Sequence, residues 1–408
     1  MFRENAMSSK ERENKRKEKK QKNQRRIKTA IWAVLAVVVI ALIILKVCEV
    51  DFASIKNKIT SDGGVSSAVT AENASYPYTL DSSKNVVMSA LDSRLCVLTD
   101  TSCSVLNPAD AAVQYKFEHG YSNPIMKTAG NYICLFDQGS DRLRVDSSRE
   151  QIYETKADTF ILTADISKKG NVIYAVKSNK KKSTVIVMNT SLKKLAELDI
   201  KEGYVVSTAI DPSGKKCAWA VVNSENAKLV TTVYTYNVGD EQPTQSFDFG
   251  DSVLVDLKYN NSSNLYVVCT DRVDLISSQK KAKELFAKGS VNTVCCGYTK
   301  NNELLYAYSE YDNSEENKAV YITASGKLKT TVALNQRVKA LSSSDSEMCV
   351  LFADKICTYS LTKGTLKKTS PCDDSVKSIC SISSKLFKNF QQQIDLADFD
   401  KAEAEKSE

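Results

Sequence analysis

The chain has 408 residues, 56 basic and 49 acidic side chains, a formal net charge of +7 and one histidine. This length allows one large domain or two ordinary ones. Residues 1–28 hold twelve Lys or Arg and four Glu, which leaves 44 basic and 45 acidic residues for the remainder. The nearly neutral remainder argues against nucleic acid as a partner, and one histidine excludes metal sites that need several.

An uncharged apolar run follows the basic segment. It spans the 17 residues from Thr29 to Leu45 and lies between Lys28 and Lys46. A helix needs roughly 20 residues to cross the hydrocarbon, or slightly fewer when flanking lysines snorkel. No small-residue cleavage site follows, so we predict a transmembrane signal-anchor helix over residues 29–47, with a cleaved signal peptide as the alternative.

The basic segment sets the predicted topology. Its cations indicate that residues 1–28 lie in the cytoplasm and that the remainder lies outside the cell. The segment could also bind anionic lipid or RNA, but a topology signal is the favoured interpretation. Residues 48–75 are small and polar and predict a flexible stalk. Residues 391–408 are acidic and predict a disordered tail.

Residues 76–390 consist of short runs rich in β-branched and aromatic residues, almost without helical periodicity. One kind of run recurs at a mean spacing of about 41 residues, followed each time by a polar turn, a second strand, a tight corner and two more strands. The runs begin near Val86, Ile125, Phe160, Val205, Val253, Val291, Val338 and Val376. Four strands in about 40–45 residues is the period of a β-propeller blade, so we predict an all-β propeller of four-stranded blades.

The blade count has two alternatives. Seven complete sets of strands run from Val86 to Ser370, and "VKSICSIS" (Val376 to Ser383) is an eighth copy of the first strand. Either the ring has seven blades and this strand is an added closure, or it has eight, the last completed partly by "YPYTL" (Tyr76 to Leu80). We favour seven. In both cases the C-terminal strand should join the region of the first blade, because an unpaired edge is a liability.

Cysteines and corner aspartates follow the repeat. Twelve cysteines in an exported chain would ordinarily indicate disulfides. Four of them instead share one position of the second strand, where other blades have Ile, Tyr or Leu, so we predict buried free thiols. They are Cys96, Cys134, Cys217 and Cys349. The corners between second and third strands carry Asp100, Asp271 and Asp354, which we interpret as turn residues.

One segment carries a resemblance to known propellers. In "TAIDPSGKKCAWAVV" (Thr208 to Val222) the turn "DPSGK" precedes a strand that contains Trp219. This arrangement resembles the Pro-Asp-Gly-Lys type repeats of WD-like propellers. With the preceding "ADISKKGNVIYAVKSNKKKSTVIVMNTSLKKL" and the N-terminal anchor, the chain resembles an uncharacterised Gram-positive family of single-pass membrane proteins with an outer propeller-like domain of unknown function. The resemblance implies a fold and a location, and no catalytic residues.

We therefore predict a membrane-anchored binding or scaffold module at the cell surface, without catalytic, cofactor-binding or metal-ligating residues. Its partners would be the bilayer, through residues 29–47, and an outer-face protein or cell-wall glycan. Loops that break the repeat are the candidate binding sites. They are "FEHGYSNP" (Phe117 to Pro124), with Glu118, His119 and Tyr121, and "SEYDNSEENK" (Ser309 to Lys318), with Tyr311, Asp312, Glu315 and Glu316. The alternative is a surface enzyme of the glycoside hydrolase or lyase type, which needs carboxylates that converge at the propeller mouth.

Overall fold

The computed structural model describes residues 75–81, 85–179, 181–277, 281–312 and 314–401. The predicted basic segment, the transmembrane segment 29–47 and the stalk up to residue 74 lie outside the described residues. Within the described ranges, no helix is long and apolar enough to cross a membrane.

Alternating apolar and polar residues, separated by polar turns, form short strands throughout the described part of the chain. In chain order they are β1 (Tyr78–Thr79), β2 (Val87–Leu91), β3 (Arg94–Leu98), β4 (Ser102–Leu106), β5 (Val113–Glu118), β6 (Pro124–Ala129), β7 (Tyr132–Asp137), β8 (Arg142–Ser147), β9 (Gln151–Lys156), β10 (Ile161–Ile166), β11 (Val172–Lys177), β12 (Ser183–Met188), β13 (Lys194–Ile200), β14 (Tyr204–Ile210), β15 (Lys216–Glu225), β16 (Lys228–Asn237), β17 (Gln245–Asp248), β18 (Leu254–Tyr259), β19 (Leu265–Cys269), β20 (Val273–Ile276), β21 (Ala282–Phe286), β22 (Asn292–Tyr298), β23 (Leu304–Ser309), β24 (Asn317–Ile322), β25 (Leu328–Leu334), β26 (Ala340–Ser343), β27 (Glu347–Leu351), β28 (Lys355–Ser360), β29 (Leu366–Pro371), β30 (Ser378–Ile382), β31 (Lys385–Asn389), β32 (Gln393–Leu396) and β33 (Asp400–Lys401).

The strands form eight antiparallel sheets, each a blade of a propeller. Blades 1 to 7 each take four consecutive strands, from β2–β5 in blade 1 to β26–β29 in blade 7, and β33 adds a fifth strand to blade 7. Blade 8 takes β30, β31 and β32 from the C-terminal end and β1 from the N-terminal end. The first strand of each blade packs against the first strands of its neighbours and is therefore innermost.

The ring has eight blades, so the preference for seven was wrong and the eight-blade alternative is confirmed. As that alternative required, "YPYTL" supplies the missing strand: Tyr78 pairs with Ile394 and Thr79 with Gln393. The predicted strand starts are also confirmed, because each innermost strand begins within two residues of its predicted position. Completing the ring with a strand from the other end of the chain removes the unpaired edge.

The propeller extends past Phe390, although the sequence predicted that a disordered tail begins at the next residue. Gln393–Leu396 forms the third strand of blade 8, and Asp400–Lys401 pairs with β29. The physical reason is Ile394, which is fully buried in the apolar cluster between blades 8 and 1. Leu396 and Phe399 also pack against the apolar clusters at this junction, and backbone hydrogen bonds to β31, β1 and β29 hold the segment in place.

The core lies between blades. Eight apolar clusters in the described residues each combine side chains of two adjacent blades. The second strands are covered on both faces, which explains their nearly continuous apolar sequences. The four cysteines at the shared second-strand position are all buried in these clusters, which confirms that they are packing positions.

The antiparallel order gives the ring two unlike faces. On one face, here called the upper face, lie the connections between blades and the turns between second and third strands. On the other, the lower face, lie the turns between first and second and between third and fourth strands. The innermost strands start at the upper face and end at the lower face.

Candidate functional site

A cavity of about 420 Å³ lies on the axis of the ring, where the innermost strands end. All eight blades contribute to it, through the last residues of these strands and the turns that follow on the lower face. Serine, threonine and tyrosine hydroxyls supply much of its polar lining. The charged lining residues are Asp92, Lys168, Lys258, Lys300 and Asp345. The cavity is large enough for a small polar molecule.

Polar side chains of the innermost strands link neighbouring blades near this cavity. The hydroxyls of Ser89 and Thr128 are 2.6 Å apart and join blades 1 and 2. The hydroxyl of Tyr298 donates a 2.6 Å hydrogen bond to a carboxylate oxygen of Asp256, which joins blades 6 and 5. The polar groups of these two pairs therefore satisfy one another and tie adjacent innermost strands together.

Two buried acids with a raised pKa are not arranged for catalysis. Burial raises the pKa of Asp146 and Asp274, against the stabilising hydrogen bonds from Arg144 and Arg272. Both acids lie on third strands, in blades 2 and 5, and each is bound by an arginine two residues earlier at 2.7–2.8 Å. These two carboxylates therefore do not converge at the mouth of the ring, as an acid–base pair of a glycosidase would.

Each arginine also stacks on the preceding blade. The guanidinium carbon of Arg144 lies 3.8 Å from the centre of the Phe117 ring, and that of Arg272 lies 5.1 Å from the Phe249 ring. Tyr115 of blade 1 donates a 2.7 Å hydrogen bond to Asp146 of blade 2. The Arg-Val-Asp segments thus clamp neighbouring blades through charge-assisted hydrogen bonds and cation–π contacts.

Two of the three candidate residues in the first loop are buried, which the sequence did not predict. His119 is 5% exposed; its Nδ1 accepts a hydrogen bond from the Tyr121 amide at 3.0 Å, and its Nε2 lies 3.1 Å from the Thr99 carbonyl. Burial lowers the pKa of His119 from its ordinary 6.5. Tyr121 is also buried, beneath the guanidinium of Arg142 at 4.6 Å. Glu118 alone of the three candidates is exposed, so this loop is a structural joint between blades 1 and 2.

The second candidate loop is exposed, as a binding loop requires. Tyr311 has 75% of its surface accessible, and Asp312, Glu315 and Glu316 are exposed. The loop is the turn between the second and third strands of blade 6. Lys318 forms an ion pair with Glu310 at 2.6 Å at the base of the loop. The two candidate loops share the upper face, but blades 7 and 8 separate them along the shorter arc, so they do not form one site.

An uneven distribution of exposed apolar residues was missed by the sequence interpretation. In the described part of the chain, eight of eleven exposed large apolar side chains lie on the upper face. These eight are Val87, Phe160, Tyr204, Val206, Leu229, Val253, Val255 and Tyr311. The sequence did contain a signal for this exposure. The first strand "YVVSTAI" has two adjacent valines near its start, and the side chains of a regular strand alternate between faces, so only one of the two valines can be buried.

Cysteines and metal ligands add no reactive centre to the described residues. All eleven described cysteines are free, and no group of three or more His, Cys, Asp and Glu side chains could hold a metal ion. The thiols of Cys96 and Cys103 lie 3.6 Å apart within blade 1. Their mutual hydrogen bond and burial raise the pKa of Cys103, which keeps this thiol protonated and unreactive.

Three solved structures to which this chain is similar share 12% sequence identity with it. The C-terminal WD40 domain of Sif2 matches with a TM-score of 0.55, over 79% of this chain and 98% of that one. Hydrazine synthase from Kuenenia stuttgartiensis matches with a TM-score of 0.44 over 82% and 98%, and a eukaryotic initiation factor with 0.46 over 73% and 90%. The Sif2 likeness confirms the predicted WD-like propeller fold and carries no function across at this identity.

Among curated proteins, no match was found. A family match covers residues 70–395 and so contains the ring almost to the end of the third strand of blade 8. The chain therefore belongs to DUF5711, a family of unknown function, and the matched region is the eight-bladed propeller.

Proposed function

We propose that this protein is a membrane-anchored propeller that acts as a binding or scaffold module on the outer face of the cell. The observation that carries the proposal is the crowding of exposed large apolar side chains on the upper face. Apolar patches that remain exposed on a folded domain are typical of interaction sites, because burying them against a partner is favourable.

The anchor and the location rest on the sequence. Residues 29–45 contain no charge, and the twelve cations of residues 1–28 precede them. Together these features favour a signal-anchor with the propeller outside. The partner is an outer-face protein or a cell-wall glycan.

Binding without chemistry is also consistent with how the propeller uses its titratable groups. The one histidine is held by backbone groups between two blades, and Asp146 and Asp274 are engaged by arginines. Each of these groups has a structural role that accounts for its position.

Two measurements in intact cells test the proposal. A C-terminal fusion to a reporter that is active only in the cytoplasm should be silent, and an active fusion would refute the outer location. A photo-crosslinking amino acid at Tyr311 or Leu229 on the upper face should capture a reproducible partner, whereas one at Leu192 or Leu366 on the lower face should not. Equal capture from both faces, or none, would refute a binding role for the upper face.

A further inference from the structure

We propose that the upper face of blades 3, 4 and 5 is a docking site for an acidic, apolar peptide segment of a partner protein. The inference rests on the proposed binding function and specifies its site and partner chemistry. Six exposed side chains define the site, here called the apolar crescent. They are Phe160, Tyr204, Val206, Leu229, Val253 and Val255.

A repeated backbone irregularity builds the crescent. In blades 3 to 6 the innermost strand carries one extra residue at the same place, opposite a regular second strand. The extra residues are Leu162, Val206, Val255 and Val294. In blades 1, 2, 7 and 8 the same strand pair runs without a register shift. Such bulges redirect side chains and occur preferentially near functional sites.

In blades 4 and 5 the bulges turn aliphatic side chains outward. Val206 is 47% exposed and Val255 is 45% exposed, although both lie on innermost strands of a closed ring. Each lies two residues beyond another exposed apolar residue, Tyr204 and Val253 respectively. In both blades the residue between the two, Val205 or Leu254, is less exposed than they are, so each blade presents two exposed apolar groups in succession along the chain, from the upper rim inward.

The long hairpin of blade 4 encloses one side of the crescent. Its strands β15 and β16 have ten residues each, where other blades have four to six in the same strands. Thr231 of this hairpin binds the blade 4–5 connection: its amide donates to the Gly250 carbonyl at 2.7 Å, and its hydroxyl donates to the Ser252 carbonyl at 2.8 Å. These bonds fix the hairpin, two residues from Leu229, to the connection that leads into the blade 5 innermost strand.

Three apolar residues of the crescent, Phe160, Tyr204 and Leu229, each have a lysine close to them in the structure or next to them in the chain. The Lys177 amide donates to the Phe160 carbonyl at 2.9 Å, and the Lys182 ammonium lies 5.6 Å from the centre of the Tyr204 ring. Lys228 directly precedes Leu229 in the hairpin. All three lysines are exposed, and none takes part in an ion pair within the described residues.

The charge around the crescent selects an anionic partner. Among the side chains that the structure describes on this arc, two exposed acids, Asp158 and Glu202, stand against the exposed lysines 177, 181, 182, 201 and 228. Three further exposed acids on this arc already have partners within the propeller. Asp199 accepts a hydrogen bond from the Thr184 hydroxyl, Asp248 accepts one from the Gly250 amide, and Asp251 is paired with Lys288. Lysine next to apolar groups complements a segment with carboxylates flanking aliphatic or aromatic side chains.

The shape favours a peptide over a membrane surface. Val206 and Val255 lie below the rim formed by Tyr204 and Val253, inside the ring of innermost strands. A flat bilayer surface contacts the rim, whereas a peptide side chain can also reach the deeper pair. A protein segment therefore uses the whole crescent, and a membrane does not.

The test is peptide selection against the full-length chain held in phosphatidylcholine nanodiscs. A library of random 12-residue peptides should yield binders rich in Asp or Glu together with Leu, Phe, Tyr or Trp. These binders should bind the V206N/V255N variant at least about tenfold more weakly, since buried apolar anchors dominate such interfaces. The control V87N/L328N removes two similarly exposed apolar residues outside the crescent and should bind like the unaltered chain. V206T/V255T keeps the β-branched shape and replaces the first variant if asparagine lowers the unfolding temperature.

Two further measurements test the role of the lysines and the possibility that the site binds lipid. K182Q/K228Q should weaken the selected peptides and reduce the salt dependence of binding, whereas K193Q on the lower face should change neither. Binders without acidic residues, or binders insensitive to V206N/V255N, would overturn the proposal. Crescent-dependent binding to phosphatidylglycerol vesicles in place of peptides would also overturn it, because the occupant would then be a membrane. If cellular crosslinking from the upper face succeeds equally in V206N/V255N, the binding function stands and this site is wrong.

Discussion

Tyr78 pairs with Ile394 in an antiparallel ladder that joins the two ends of the described chain. Ile394 is fully buried and packs with Leu95 and Val97 of blade 1 and Phe387 of blade 8. One short strand therefore closes the hydrogen-bonded blade and covers the last interface between blades. A closed ring has no free blade edge, so its stability depends on this junction as much as on any single blade.

Weakening this junction should destabilise the whole propeller. We expect Ile394→Ala to lower the free energy of unfolding by about 2–5 kcal/mol, because it opens a cavity in a closed interface. Ile394→Val, which removes one methyl group, should cost about 0.5–1.5 kcal/mol. Denaturant unfolding followed by tyrosine and tryptophan fluorescence measures both. A midpoint for Ile394→Ala that equals that of exposed Leu192→Ala would show that closure does not limit stability.

The buried Arg144–Asp146 ion pair of blade 2, which also contacts blade 1, should be costly to break by removing one partner. Asp146 is fully buried and accepts hydrogen bonds from Arg144 and Tyr115. Asp146→Ala leaves the guanidinium without its carboxylate, so we expect a loss of about 3–5 kcal/mol in unfolding free energy. The matched control is Glu197→Gln, which breaks the exposed Lys194–Glu197 pair and should have little effect. Equal effects would mean that the clamp adds nothing beyond surface charge.

His119 should give the propeller a specific pH dependence. Its pKa is lowered in the folded state because burial disfavours the imidazolium, so the unfolded chain binds the proton more readily. Stability should therefore rise with pH across the range between the folded and unfolded pKa values, and should fall on acidification from about pH 7.5 to about pH 5.5. Because the chain has one histidine, His119→Gln should remove this component. Unfolding midpoints at both pH values measure it, and an identical slope in the variant would contradict the assignment.

Gly297 should be intolerant of any side chain. It lies on the innermost strand of blade 6, and a Cβ there would be 2.7 Å from the Leu341 carbonyl oxygen of blade 7. We expect Gly297→Ala to force these blades apart and to lower the unfolding free energy by about 1–3 kcal/mol. Thermal unfolding provides the measurement. An unchanged unfolding temperature would show that the two strands separate at no cost.

The sequence by itself determined the repeating part of this protein. Strand positions followed from alternation and turn residues, because local chain geometry dictates both, and each innermost strand begins within two residues of its prediction. The burial of Cys96, Cys134, Cys217 and Cys349 could also be predicted, because other blades have Ile, Tyr or Leu at the same second-strand position, and such a position needs only an apolar side chain.

Tertiary structure decided what depends on residues distant in the chain. The blade count required Tyr78 to meet Ile394, and no local pattern encodes that pairing. His119 was predicted to be a solvent-exposed loop residue, yet it is buried, with its ring against the carbonyl of Thr99 in the turn between the second and third strands of blade 1. The bulges that expose Val206 and Val255 are set by register against the second strand. Local periodicity specifies which residues form strands, but only the closed ring fixes which side chains remain exposed to a partner.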